Sequence, residues 1–117
     1  MKNKAQLVRI NQYMETFNDK RDYVTCHHIS REILMEGDKK DLAKCLATLS
    51  ALMEQADKKK WAGYNKLHKT FLKQLDEIDD FPFDEEDLKM QLQHLDEQVN
   101  YNPEQPVKPI QLTLTDS

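Results

Sequence analysis

Backbone breakers are scarce in this chain. Only two glycines and four prolines occur among 117 residues, and three of those prolines follow Asn102. A turn-rich sheet sandwich is therefore disfavoured, while Lys, Gln, Glu, Leu, Met and Ala fill the first hundred residues and favour helix. Long apolar runs are missing too. Nothing approaches the length that spans a bilayer, and the first residues lack the short apolar core of a signal peptide, so no membrane and a cytoplasmic location are the expectations. Two cysteines, Cys26 and Cys45, could pair in principle, but reduced, buried thiols are the commoner state in that compartment. Two isolated glycines cannot build a phosphate-cradling loop. Arginine, the usual reader of bases and phosphates, occurs only at Arg9, Arg21 and Arg31.

What the chain does have is charge, and the charge reverses along it. Met1 to Gln74 carries fifteen Lys/Arg against nine Asp/Glu, whereas Leu75 to Ser117 carries two against twelve. The cut is placed where the contrast is greatest. A front half near +6 and a back half near −10 separate a surface that attracts polyanions from one that repels them. With 38% hydrophobic and 32% charged residues, 117 residues make one domain with a modest core.

Hydrophobic spacing predicts an all-α fold, a small bundle of four or five helices followed by an extended C-terminal tail. The first helix is expected from Asn3 to Phe17, with Leu7, Ile10, Met14 and Phe17 as its stripe and Tyr13 at the edge. Asn18-Asp19-Lys20 reads as its stop. Asp22 reads as the cap of a second helix to Met35, in which Cys26, Ile29 and Ile33 line one face. Gly37 reads as its end, and Asp38 as the cap of the next element.

Beyond Lys39, Leu42, Leu46, Leu49, Met53 and Ala56 form one stripe, with Cys45 and Leu52 beside it. Tyr64, Leu67, His68, Phe71, Leu75 and Ile78 form another, flanked by Trp61. Two geometries satisfy both: one very long helix from Lys39 to Asp79, or a hairpin turning at Asp57-Lys58-Lys59-Lys60. The hairpin is favoured, because Lys60 would interrupt the stripe of a continuous helix and forty-residue helices are rare. Against it, the turn contains no Gly, Pro or Asn. Pro82 marks a connection at Asp79-Asp80-Phe81-Pro82-Phe83. Asp84 then caps a last helix to Asn100, striped by Leu88, Leu92, Leu95 and Val99. Residues 1–100 are thus expected as one helical domain, and 101–117 as a Pro-containing extended or disordered tail in which Ile110, Leu112 and Leu114 alternate.

Site chemistry is thin. Cys26, His27 and His28 are consecutive, so on a helix they point about 100° apart and cannot converge on one ion. His28 and Glu32 are four apart, as are many surface pairs, and no C-x2-4-C or H-x3-5-H spacing exists. Both cysteines fall beside apolar stripes rather than in the positive, accessible setting a reactive thiolate needs. The carboxylates around Asp79 to Asp87 read as solvated, without the split environments of an acid/base pair. No enzyme, metal or cofactor is expected.

Four surfaces remain. Lys58, Lys59, Lys66, Lys69 and Lys73 form a candidate polyanion-binding ridge, although a charged face opposite an apolar stripe is what any soluble amphipathic helix presents. Phe81 and Phe83 either anchor a partner or close the bundle, and closure is favoured. The alternation of Ile110, Leu112 and Leu114 suits a strand added to a partner's sheet or to another copy of the chain. The acidic segment Leu75 to Glu97 reads as a solvated helix, a mask over the lysine ridge, or a docking face for a basic partner. The leading expectation is a non-enzymatic cytoplasmic interaction protein, such as an adaptor, inhibitor or secretion-type chaperone, using helical grooves. The alternative is a nucleic-acid-associated regulator using the lysines.

Overall fold

A computed structural model describes residues 4–37 and 39–115. Among them five α-helices follow one another: α1 (Lys4–Glu15), α2 (Tyr23–Glu36), α3 (Lys40–Asp57), α4 (Trp61–Asp76) and α5 (Glu85–Tyr101). α1 does not stop at Asn18. It widens into a π-helical turn, Thr16–Lys20, which ends at Arg21 in the left-handed region with φ 51°. Its buried face is also rotated from the expected stripe. Tyr13 is fully buried rather than marginal, and Leu7 is 42% exposed. The cause is a polar anchor in the core: the Tyr13 hydroxyl donates to the Leu46 carbonyl at 2.6 Å and shares a hydrogen bond with Ser50 Oγ at 2.9 Å.

Asp22 caps α2, its Oδ1 accepting from the Thr25 N–H at 3.1 Å and its Oδ2 from the Thr25 hydroxyl at 2.7 Å. Gly37 ends α2 in extended backbone, with φ −154°, so no left-handed glycine is needed there. Asp38, expected as the next cap, lies outside the described residues. Lys39 occupies the N-cap position of α3 with no side-chain cap bond.

The single long helix from Lys39 to Asp79 does not occur. The Lys59 N–H donates to the Ala56 carbonyl at 3.0 Å, and the Lys60 N–H to the Gln55 carbonyl at 2.9 Å. That pair of bonds is a Schellman C-cap, with Lys59 in the left-handed seat at φ 56°. The turn therefore needs no Gly, Pro or Asn; a lysine tolerates the conformation at a cost of roughly 1–2 kcal/mol. Just beyond it, Gly63 faces Gln55, whose side-chain oxygen would lie 2.7 Å from a Cβ placed there.

Consecutive helices pack on one another, α2 on α3 and α3 on α4 most closely, and α1 on α2. Leu46, Leu49, Leu52, Met53 and Ala56 of α3 are fully buried at the centre of the core, with Phe71 and Tyr64 of α4 and Ile33 of α2 around them. The backbone of α5 stays farther from its neighbours. It is held by Leu88, Leu92 and Leu95, all buried, and by polar side chains reaching across. Asp84 is its N-cap, accepting from the Asp87 N–H at 3.1 Å.

Candidate functional site

The residues after α5 turn at Pro103-Glu104-Gln105 and run back alongside that helix. They end in a groove walled by α5 on one side and the π turn of Thr16–Lys20 on the other. Its floor is aromatic: Phe81 and Phe83 meet edge to face at 5.6 Å, and Phe83 stacks on Tyr13 at 6.4 Å. Ile110 and Leu112 are buried in it and Leu114 is half-buried, while Gln111, Thr113 and Thr115 point outward. The alternation seen in the sequence is thus the in-and-out register of an extended strand.

Two side-chain carboxamides grip this strand from opposite edges. Leu112 donates its N–H to Asn18 Oδ1 at 2.7 Å, and its carbonyl accepts from Asn18 Nδ2 at 2.8 Å. On the other edge the Gln111 N–H donates to Gln91 Oε1 at 2.9 Å, and the Gln111 carbonyl accepts from Gln91 Nε2 at 2.8 Å. Each amide reads both backbone groups of one residue, as a neighbouring strand would. Asp87 steadies Gln91 by accepting from the same Nε2 at 2.8 Å. Farther along the Gln91 edge, the Asp84 N–H donates to the Thr113 carbonyl at 2.7 Å and the Thr115 N–H to the Pro82 carbonyl at 3.0 Å. Phe83 and Leu114 form an antiparallel bridge there. Two turns along α5, Gln98 Nε2 donates to the carbonyls of Gln105 and Pro106, each at 3.1 Å. Between Gln98 and Gln91 lies a cavity of ≈ 150 Å³ bordered by His94, Leu95, Lys108 and Pro109.

The structure therefore places Phe81, Phe83, Ile110 and Leu112 in one hydrophobic core, with partly buried Leu114 packed against it and bridged to Phe83. The lysine candidates separate. Lys66, Lys69 and Lys73 share the exposed side of α4, opposite buried Tyr64, Phe71 and Leu75. Lys58 and Lys59 belong to the turn instead, because the helix ends before them. Lys58 pairs with Glu54 at 2.9 Å, and Lys59 Nζ donates to the Glu104 carbonyl. Among the described residues no salt bridge joins Lys66, Lys69 or Lys73 to the acidic segment. The segment's links to the rest are elsewhere: Asp80 with Lys39, and Asp96 with His68 at 3.0 Å and the Tyr64 hydroxyl at 2.8 Å. Burial, with the Asp96 hydrogen bond behind it, pushes the Tyr64 hydroxyl well above its usual range.

Asn18, Gln91 and Gln98 escape sequence reasoning. Asn18 stands where a helix stop is expected, and the two glutamines are neutral residues on a polar helix face. Their seven-residue spacing, two helical turns, is the one signal that they share a face. Burial pushes both the Cys26 and Cys45 thiols up to about 12, which leaves them protonated and unreactive. Among the described residues no group of three or more His, Cys, Asp or Glu is arranged to hold a metal ion, and no helix is long and apolar enough to cross a membrane. Comparison with family models, curated proteins and solved structures finds no match to this chain.

Proposed function

We propose that this chain is a non-enzymatic, cytoplasmic protein-interaction module of the adaptor, inhibitor or chaperone kind. It holds an extended peptide segment in the groove between the π turn, Phe81–Asp84 and α5. Its own residues 110–115 stand in for that peptide. The observation that carries the reading is the pair of carboxamide clasps, Asn18 on Leu112 and Gln91 on Gln111. A grip on backbone groups is indifferent to most side chains, so it suits a receptor for strands, with the aliphatic seats supplying selectivity.

Energetics support an exchangeable occupant. Burying Ile110, Leu112 and half of Leu114 contributes about 5 kcal/mol. Six hydrogen bonds on the backbone add about 6 kcal/mol. Fixing six residues costs about 9 kcal/mol of backbone entropy. The balance is a few kcal/mol, so the tail docks without being locked.

The test is a fluorescein-labelled peptide of the 108–115 sequence titrated into the full chain. Saturable polarisation is expected, and it is lost when the residue equivalent to Leu112 is replaced by Asp. No saturation up to millimolar peptide would sink the proposal. A second reading, a nucleic-acid-associated regulator, is favoured only by the exposure of Lys66, Lys69 and Lys73 without salt bridges among the described residues. It requires retention on heparin that falls steeply with salt. Indifference to heparin at low salt removes it.

A further inference from the structure

The groove also has a charge pattern that its present occupant does not match. Where Thr113, Leu114 and Thr115 leave the aromatic floor, an open notch of ≈ 410 Å³ is lined by Asp79, Asp84, Glu85 and Glu86, with no lysine or arginine. Asp84 is engaged as the α5 cap, and Glu85 is spanned by Lys89 at 3.4 Å. Glu86 and Asp79 are exposed, and no salt bridge reaches either among the described residues. The antiparallel pairing of Phe83 with Leu114, and of Pro82 with Thr115, sets the direction of travel. Thr115 thereby lines the same notch as Phe81 and Asp79. The described tail offers no cation for that rim: Gln111, Thr113 and Thr115 are neutral.

We infer that the physiological occupant of this groove is a partner segment with aliphatic residues at the Ile110, Leu112 and Leu114 positions, followed directly by lysine or arginine. The chain's own residues 110–115 are the weaker, neutral occupant that such a segment displaces. This rests on the groove reading above and specifies its ligand. The hydrogen bonds add a second requirement. Gln91 and Asn18 each need a backbone N–H, at the Gln111 and Leu112 positions, so proline is excluded from both. The tail's three prolines obey the rule, for all lie before Ile110. The displaced tail competes at the millimolar effective concentration of a tethered segment. A basic end shifts that competition, because each cation gains attraction at the acidic rim that neutral Thr113 and Thr115 do not gain.

Two labelled peptides test this on the full chain: Pro109 to Thr115 followed by two lysines, and the same segment followed by two aspartates. The lysine peptide is expected to bind at least about five-fold tighter at low salt. The gap should narrow as salt screens the rim, and narrow again in the E86Q and D79N variants, neither of which touches the α5 cap. Equal affinity for the two peptides overturns the basic-partner assignment and leaves the groove reading standing. Failure of both to bind overturns the groove reading itself. A gap that survives high salt and both variants overturns the assignment of the rim as its cause. Circular dichroism of the variants, compared with the parent, separates lost rim charge from lost folding.

Discussion

The α2–α3–α4 layer and the α5-plus-tail layer are held by different forces. In the first, helices approach closely, and side chains such as Leu49, Leu52 and Met53 are wholly enclosed. In the second, the helix backbone stands off, and its attachment combines one apolar stripe with amide and carboxylate clasps: Asp96 to Tyr64 and His68, Gln91 and Gln98 to the tail, Asn18 to Leu112. Close apolar packing is non-directional and costly to open. Hydrogen-bond clasps are directional and can hand their partners back to water, so the second layer is the one suited to exchanging a ligand.

The largest expected effect comes from breaking the first layer. Leu49→Ala should destabilise the whole chain by about 2–5 kcal/mol. Urea unfolding would read this as a lowered midpoint with amide protection lost everywhere. Asn18→Ala should act in the second layer. It leaves the buried Leu112 N–H and carbonyl without their partner, a local cost of about 1–2 kcal/mol. Hydrogen exchange at Gln111 and Leu112 should therefore quicken by about ten-fold, while the amides of α3 keep their protection. Equal acceleration in α3 and the tail would erase the distinction between the layers.

The smallest effect lies at the end of α3. Burial raises the Asp57 carboxyl above its usual value, with Arg21 opposing, and the residue sits at the negative end of the helix dipole. A raised acid contributes stability that is present below its unfolded pKa of 3.8 and lost as pH rises through the folded value. Asp57→Asn should thus raise the melting temperature slightly at pH 7, with the gain fading below about pH 4. A gain that persists undiminished in acid would assign the effect to something other than ionisation.

Much of the first layer can be read from residue spacing, because a helix that buries one face writes its period into the chain. The stripes of α2, α3 and α4, the caps Asp22 and Asp84 and the break before Pro82 all follow from local rules. What local rules miss has tertiary causes. Tyr13 displaces Leu7 from the core because Leu46 and Ser50, more than thirty residues away, satisfy its hydroxyl. The Lys59 turn is invisible to composition because its geometry comes from backbone bonds that a lysine tolerates. The groove is the extreme case. Phe81, Phe83 and the alternating tail stand out as residues, but the tail is held by Asn18, 94 positions from Leu112, and no pattern in the chain connects the two.

The amide clasps have a consequence beyond ligand choice. An alternating aliphatic segment such as Ile110 to Leu114 is a self-association hazard, since an exposed strand edge recruits more strands. Here Asn18 covers one edge and Gln91, Asp84 and Pro82 the other, so the segment carries strand geometry with no edge left open at Gln111 and Leu112. Side chains of the π turn and α5, with the Phe81–Asp84 connection, thus perform the shielding that neighbouring strands perform in a sheet. Whatever displaces the tail also uncovers a sticky edge, and release of the segment at high protein concentration should be followed by its pairing with other copies.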